Sequence, residues 1–256
     1  MVYPGGKNGS GVYQKIINMM PPHEIYIEPF LGGGAIFRVK RPAPLANIAI
    51  DKDARCITQL QRINSQDERV IPNYIGLSGD AIDYLLSLRF TQWYRHDTLI
   101  YLDPPYPIQT RSSKRKIYDW EMTDDQHITL LEIIKELPCM VIISSYYSDL
   151  YAQMLNGWRT YTFSAQTRSG HPATEWLWMN FPEAFELHDY RYLGENFRQR
   201  EQIKKKQKRW KDKLEKMDSL ERFSILSVIQ ELSFPCSNAK NDDTAGTIIR
   251  FDDITR

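Results

Sequence analysis

The chain has 256 residues, 42% of them hydrophobic and 25% charged, with a net charge of +1, which suits one substantial α/β domain with a smaller appendage. No run approaches the roughly eighteen apolar residues that cross a bilayer, and the start Met1-Val2-Tyr3-Pro4-Gly5-Gly6-Lys7 has no apolar stretch behind a basic cluster, so no membrane partner and a cytoplasmic location are expected. Three scattered cysteines (Cys56, Cys139, Cys236) and five unclustered histidines exclude a disulfide framework and offer no metal site.

Short β-rich apolar runs alternate with helical patterns through the first two thirds of the chain, the sign of a largely parallel sheet. In chain order the patterning predicts helix Val12 to Met20, strand Ile25 to Phe30, helix Gly34 to Lys40, strand Asn47 to Asp51 and helix Asp53 to Gln66. Strand Tyr74 to Ser78, helix Asp80 to Phe90, strand Thr98 to Asp103, helix Asp124 to Leu137, strand Met140 to Ser144 and helix Ser148 to Leu155 follow. Thr123 and Gln126 have capping-box spacing at the start of the fifth helix, and Pro138 ends it. The last two strands, Thr160 to Arg168 and Thr174 to Phe181, are separated only by residues 169–173, too few for a crossover helix, so they form an antiparallel hairpin. The expected fold is therefore α/β and Rossmann-like: seven strands, mostly parallel, with an antiparallel hairpin at the end.

Beyond Pro182 the β signal stops. Helices are expected at Arg198 to Met217 and Leu220 to Leu232, giving a domain at 1–182, a basic helical extension at 183–235 and an acidic, flexible tail at 236–256. Between Arg191 and Lys216 eleven Lys or Arg face four Asp or Glu, a local excess that the total charge conceals. Ile203, Trp210, Leu214 and Met217 form one apolar stripe among these cations, with Leu220, Phe223, Leu226 and Ile229 of the following helix as packing partners.

Three strand ends carry chemistry. Leu99-Ile100-Tyr101-Leu102 runs into Asp103-Pro104-Pro105-Tyr106, at the carboxyl end of a parallel strand, where open α/β sheets place ligands. The prolines remove two donors, so Asp103 and the Pro104 carbonyl can only accept hydrogens, as from an amino group, and Tyr106 offers a flat ring for a base. Ile25-Tyr26-Ile27-Glu28-Pro29-Phe30-Leu31-Gly32-Gly33-Gly34 carries a strand through three glycines into a helix, letting a ligand approach the backbone. It is not a Walker loop, since no Gly-Lys-Ser/Thr follows. Asp51 ends the next strand about twenty residues on, the spacing at which an acid reaches ribose hydroxyls, although alone it equally suits a cap on the next helix.

Together these stretches resemble the Dam-like DNA adenine N6-methyltransferases, and more closely their short phage-type members. Tyr3-Pro4-Gly5-Gly6-Lys7, the Glu28 to Gly34 turn, Asp51 and Asp103 to Tyr106 match in order, and Thr174-Glu175-Trp176-Leu177-Trp178-Met179-Asn180 is similar to that family's last strand. The resemblance covers residues 1–182 and implies an S-adenosylmethionine-dependent methyltransferase fold and an enzyme of bacterial or phage-infected cytoplasm. It implies that the cofactor is bound by Tyr3, Lys7, Phe30, Gly32, Gly34, Asp51, Asp80 and Asp103, with Asp51 on the ribose and Asp80 near the cofactor adenine. Catalysis falls to Asp103, Pro104 and Tyr106, acting on the N6 amine of a flipped adenine without a metal.

DNA is the expected partner. Arg111, Lys114, Arg115 and Lys116 directly follow the catalytic turn, Arg168 stands at the hairpin, and Lys205 and Arg209 lie on the basic helix, each read as a phosphate contact. Unlike longer Dam-like enzymes, the chain has little between Asp80 and Asp103 beyond one helix, so no separate target-recognition segment is present there. Two alternatives stay open: a cytosine N4 or glutamine-amide acceptor at the same turn, and a DNA-binding module without catalysis.

Overall fold

The computed structural model describes residues 7, 9, 11–66, 70–111, 118–166 and 172–233. The elements in the first half are α1 (Val12–Ile17), β1 (Ile25–Glu28), α2 (Ala35–Val39), β2 (Ala46–Asp51), α3 (Ala54–Gln66), β3 (Tyr74–Ser78), α4 (Ala81–Leu88) and β4 (Thr98–Leu102). They continue with α5 (Asp124–Glu136), β5 (Met140–Tyr146), α6 (Asp149–Met154), β6 (Arg159–Gln166), β7 (Pro172–Met179), α7 (Phe197–Glu215) and α8 (Ser219–Ser233). Short 3₁₀ turns at Ile108–Thr110 and Tyr190–Tyr192 carried no periodic signal in the sequence.

The seven strands form one sheet in the order β3-β2-β1-β4-β5-β7-β6. The pairs from β3 to β5 are parallel, and β7 runs antiparallel to both β5 and β6. This is the Rossmann-like architecture with a terminal antiparallel hairpin that the sequence predicts. The central strands β1, β2 and β4 are buried at every position because helices cover both faces, which is why they read as unbroken apolar runs. Alternation along each strand splits the core into two layers. Tyr26, Leu99, Tyr101 and Ile142 belong to one, together with α1 and α2, while Ile27, Ile50, Ile100 and Ile143 belong to the other, with α4 and α5. The capping box at Thr123 and Gln126 forms as expected.

Because the order reverses between β1 and β4, the carboxyl ends of these neighbours diverge and leave a crevice there. The Glu28 to Gly34 turn, Asp51 and Asp103 all lie at that edge.

The chain divides into two compact units, 1–203 and 204–256. In the first, the stretch after β7 is tied back: the His188 amide donates to the Met20 carbonyl (3.0 Å), and the Arg41 amide donates to the Asp189 carboxylate (2.8 Å). In the second, residues 204–233 are described. No residue of α7 is buried, and the packing expected along α8 is incomplete, since Leu220 is 82% and Phe223 63% exposed. Two helices of this length hold too little apolar surface to enclose a core. No helix among the described residues is long and apolar enough to cross a membrane.

Candidate active site

At the end of β1 the chain turns through Gly32 (φ 51°) and Gly34 (φ 63°), both left-handed, a backbone that side chains disfavour. The turn is fastened to β2 by two bonds: the Leu31 amide donates to the Ile50 carbonyl (3.0 Å) and the Gly32 amide to Asp51 Oδ2 (2.7 Å). Asp51 Oδ1 accepts from the Asp53 amide (2.8 Å). Burial pushes the Asp51 carboxyl up, and these two amides hold it down. Asp51 thus braces the glycine turn as well as facing the crevice.

That crevice is lined among others by Lys7, Glu28, Phe30, Gly32, Asp51 and Asp103. Lys7, Phe30, Gly32, Asp51 and Asp103, read from the sequence as cofactor contacts, therefore meet in one cavity. Gly34 and Asp80 do not line it. Gly34 shapes the turn instead. The Asp80 carboxylate caps α4 through the Ile82 amide on Oδ1 (2.8 Å) and pairs with Lys52 through Oδ2 (3.0 Å), so one oxygen is committed to a helix end and the other to a lysine. Tyr3, Lys114, Arg115, Lys116 and Arg168 lie outside the described residues.

Asp103 leaves β4 directly. Its Oδ1 receives Lys7 Nζ (2.9 Å) and the Ser144 hydroxyl (2.8 Å) from β5, while Oδ2 accepts from none of the described residues. Lys7 Nζ also donates to the Tyr106 hydroxyl (2.7 Å) and lies 3.4 Å from Glu175 Oε2, which accepts a hydrogen bond from the Tyr106 hydroxyl at 3.4 Å. Burial alone would strip Lys7 of its proton, but the carboxylates of Asp103 and Glu175 hold its pKa well above the lysine range. Burial raises Glu175 and Lys7 opposes the rise. The result is a buried cation between two carboxylates, each held through one oxygen, with Asp103 Oδ2 and Glu175 Oε1 accepting from none of the described residues.

Two expectations need correcting. Tyr106 was read as a stacking surface, yet it is 6% exposed, with Lys7 Nζ 4.9 Å from its ring centroid and Tyr146 packed edge-on at 4.7 Å. Its hydroxyl is drawn inward by Lys7 and Glu175, and the ring face goes with it. Arg111 was read as a phosphate contact, yet it is 8% exposed. Its guanidinium donates to the Tyr106 carbonyl (2.7 Å from Nε, with a second bond from Nη2) and pairs with Glu121 (2.6 Å). Its charge faces the catalytic turn because Glu121 and a bare carbonyl are the nearest acceptors, and a buried guanidinium must be matched. Accordingly, Arg111→Ala is expected to destabilise the protein by about 3 kcal/mol, the loss typical of a broken buried pair, and to leave the salt dependence of any nucleic-acid binding unchanged. Chemical denaturation and a salt titration read the two effects; a reduced salt slope in a fully stable variant would restore the phosphate-contact role. Lys205 and Arg209 stand exposed on α7, in the second unit.

No protein-family model matches the chain, and no curated protein does. Among solved structures it is similar to a precorrin 8W decarboxylase from Methanobacterium thermoautotrophicum (13% identity, TM-score 0.42, 70% of this chain and 94% of that one). It is also similar to a SAM-dependent methyltransferase from Agrobacterium tumefaciens (12%, 0.44, 65% and 58%) and to a dimethyladenosine transferase from Plasmodium falciparum (15%, 0.43, 70% and 64%). The chain spans less than two thirds of the length of the latter two. At such distances, the chemistry has to rest on this chain's own residues.

Three site residues escaped the sequence reading: Glu28, Ser144 and Glu175. Each is a buried polar side chain on a strand, and for Glu28 and Ser144 the apolar run around it was the available signal, because a buried polar group needs a partner. Glu28 lines the crevice and accepts from the Tyr26 hydroxyl (2.8 Å). Burial, with Asp103 adding to it, lifts its carboxyl to about 8.

The chain meets the cavity again at Tyr118. Next to it, Asp119 pairs with Arg55 (2.8 Å), and Lys52 Nζ lies 5.1 Å from the Trp120 ring centroid. The stretch after the catalytic turn is thereby joined to residues just beyond β2.

Proposed function

We propose that the chain is an S-adenosylmethionine-dependent methyltransferase that acts on the exocyclic N6 amine of adenine in DNA. The observation that carries this reading is Asp103, with one carboxylate oxygen pinned by Lys7 and Ser144 and the other uncommitted among the described residues. It stands in the same cavity as the glycine turn and Asp51.

The donor set fits the cofactor. Even with Glu28 protonated, Asp51 and Asp103 outnumber Lys7 two to one among the described residues that line the cavity, and a cleft of one sign attracts a ligand of the other, such as a sulfonium. Phe30, the Gly32 backbone and Asp51 would hold the cofactor, with Asp51 keeping free lone pairs for hydroxyl groups. Bound there, the cofactor supplies an electrophilic methyl group.

The chain's own work is to prepare the amine. An amine conjugated to a purine ring is a poor nucleophile because its lone pair is delocalised. Asp103 Oδ2 and the Pro104 carbonyl accept the two amine hydrogens and turn the lone pair out of the ring plane. Lys7 and Ser144 keep Asp103 from rotating, and the proton released after transfer passes to Oδ2. Contact with DNA rests on the exposed cations of α7 and on Lys114, Arg115 and Lys116 after the catalytic turn, without Arg111.

The test is to incubate the protein with labelled S-adenosylmethionine and mixed-sequence DNA, digest to nucleosides and identify the labelled one. N6-methyladenine is expected. Label in N4-methylcytosine would move the acceptor, and no label in any nucleoside from a folded protein that binds the cofactor would overturn the reading.

A further inference from the structure

With Tyr106 buried, the surface that receives a base has to be sought elsewhere. At the same edge of the sheet β5 ends in Tyr146, which packs on Tyr106, and the next residue, Tyr147, is 49% exposed. Its ring meets Trp176 at 5.2 Å, and Trp176 stacks on Trp178 at 5.6 Å with an interplanar angle of 25°. Trp178 in turn packs on Tyr151 at 5.3 Å. Trp178 and Tyr151 are buried, and the Tyr151 hydroxyl is held by His127 Nδ1 (3.0 Å). Four rings thus form a column whose inner half is core and whose outer half, Tyr147 and the partly exposed Trp176, reaches solvent. The Tyr147 hydroxyl donates to Asp149 (3.2 Å), which fixes its ring.

We infer that Tyr147 and Trp176 form a stacking site for an unpaired nucleobase of the strand presented to Asp103. The inference rests on the nucleic-acid reading above. The column stands on the face of the sheet opposite Tyr106, since side chains alternate along β5 and β7, and it reaches the same carboxyl edge as Asp103, because Tyr147 directly follows the end of β5 and Trp176 pairs there with Ser145. The column is anchored from within, so little ordering entropy is lost when a flat ligand settles on it. A nucleobase is the ligand whose area and polarisable face match two such rings, and stacking of this kind tolerates any base.

The experiment is equilibrium binding of a fluorescein-labelled single-stranded oligonucleotide to wild-type protein, Tyr147→Ala and Tyr147→Phe, with S-adenosylmethionine affinity measured beside it. Tyr147→Ala is expected to weaken oligonucleotide binding about tenfold with cofactor affinity and salt slope unchanged, and Tyr147→Phe, which keeps the ring, to bind like wild type. Oligonucleotides with abasic sites should lose the difference between wild type and Tyr147→Ala. Wild-type binding with no loss in Tyr147→Ala overturns the stacking site alone, whereas a wild-type protein that binds no nucleic acid overturns the acceptor reading together with it.

Discussion

Asp103→Ala is expected to lower the rate of methyl transfer about 10²- to 10³-fold, the usual loss when one preorganised polar contact to the reacting group is removed. The protein should remain folded, because Lys7 keeps Glu175 at 3.4 Å and the Tyr106 hydroxyl at 2.7 Å, so the buried cation is not stranded. Asp103→Asn is the sharper variant. Lys7 and Ser144 both address Oδ1, so the amide oxygen is expected there, which puts the amide NH₂ where Oδ2 had been. A donor then faces the amine hydrogens, and the loss should match that of alanine. Single-turnover rates at saturating cofactor, with thermal unfolding alongside, measure both effects. Transfer within tenfold of wild type in either variant refutes the role given to Oδ2.

Glu28→Gln is expected to change how stability depends on pH. In the folded chain Glu28 keeps its proton up to about pH 8, against an ordinary value of 4.5, because burial penalises the carboxylate. Between those values the folded state binds more protons than the unfolded one. The contribution of Glu28 is therefore fully present below pH 4.5 and is lost as pH rises towards 8, at up to about 1.4 kcal/mol per pH unit. Glutamine does not titrate and can still accept the Tyr26 hydroxyl. The variant should therefore gain on wild type across this window, by several kcal/mol at its alkaline end. Comparing the two proteins at each pH cancels the groups that do not feel Glu28, whereas Lys40, lowered to about 7 by burial and raised in part by the Glu28 charge, shifts with the substitution and adds to the difference. Parallel stability–pH profiles with a constant gap from the acid to the alkaline end would show that Glu28 titrates alike in the folded and the unfolded chain, and would refute the raised value.

Most of the fold was legible because its signals are local. The apolar runs at β2 and β4 are unbroken since both faces of a central strand are covered. The five residues between the last two predicted strands dictated a hairpin, and Thr123 and Gln126 marked a helix start that the structure keeps. Strand ends moved by up to a few residues, as at β5, which continues to Tyr146, because pairing with β7 extends it. The site was legible where function coincides with a strand end: the glycine turn, Asp51 and Asp103 converge on one cavity. It was illegible where a side chain's partner is distant in sequence. Arg111 looks like the rest of its basic run and Asp80 like any acid at a strand end, and only the positions of Glu121, the Tyr106 carbonyl, Lys52 and the Ile82 amide show where their polar atoms are committed.

By itself the sequence determined the order of strands and helices and the placing of Asp103-Pro104-Pro105-Tyr106 at a carboxyl end, since side-chain periodicity and proline and glycine backbone limits act within a few residues. Only the tertiary structure decided which charges neutralise one another and which ring faces are left open. Lys7 and Tyr106 are 99 residues apart in the chain and 2.7 Å apart in space, and that contact turns the tyrosine inward, while Tyr147 and Trp176 keep the exposed end of the aromatic column. Electrostatic pairing and burial depend on distance through space, and it is the topology of the sheet that sets that distance.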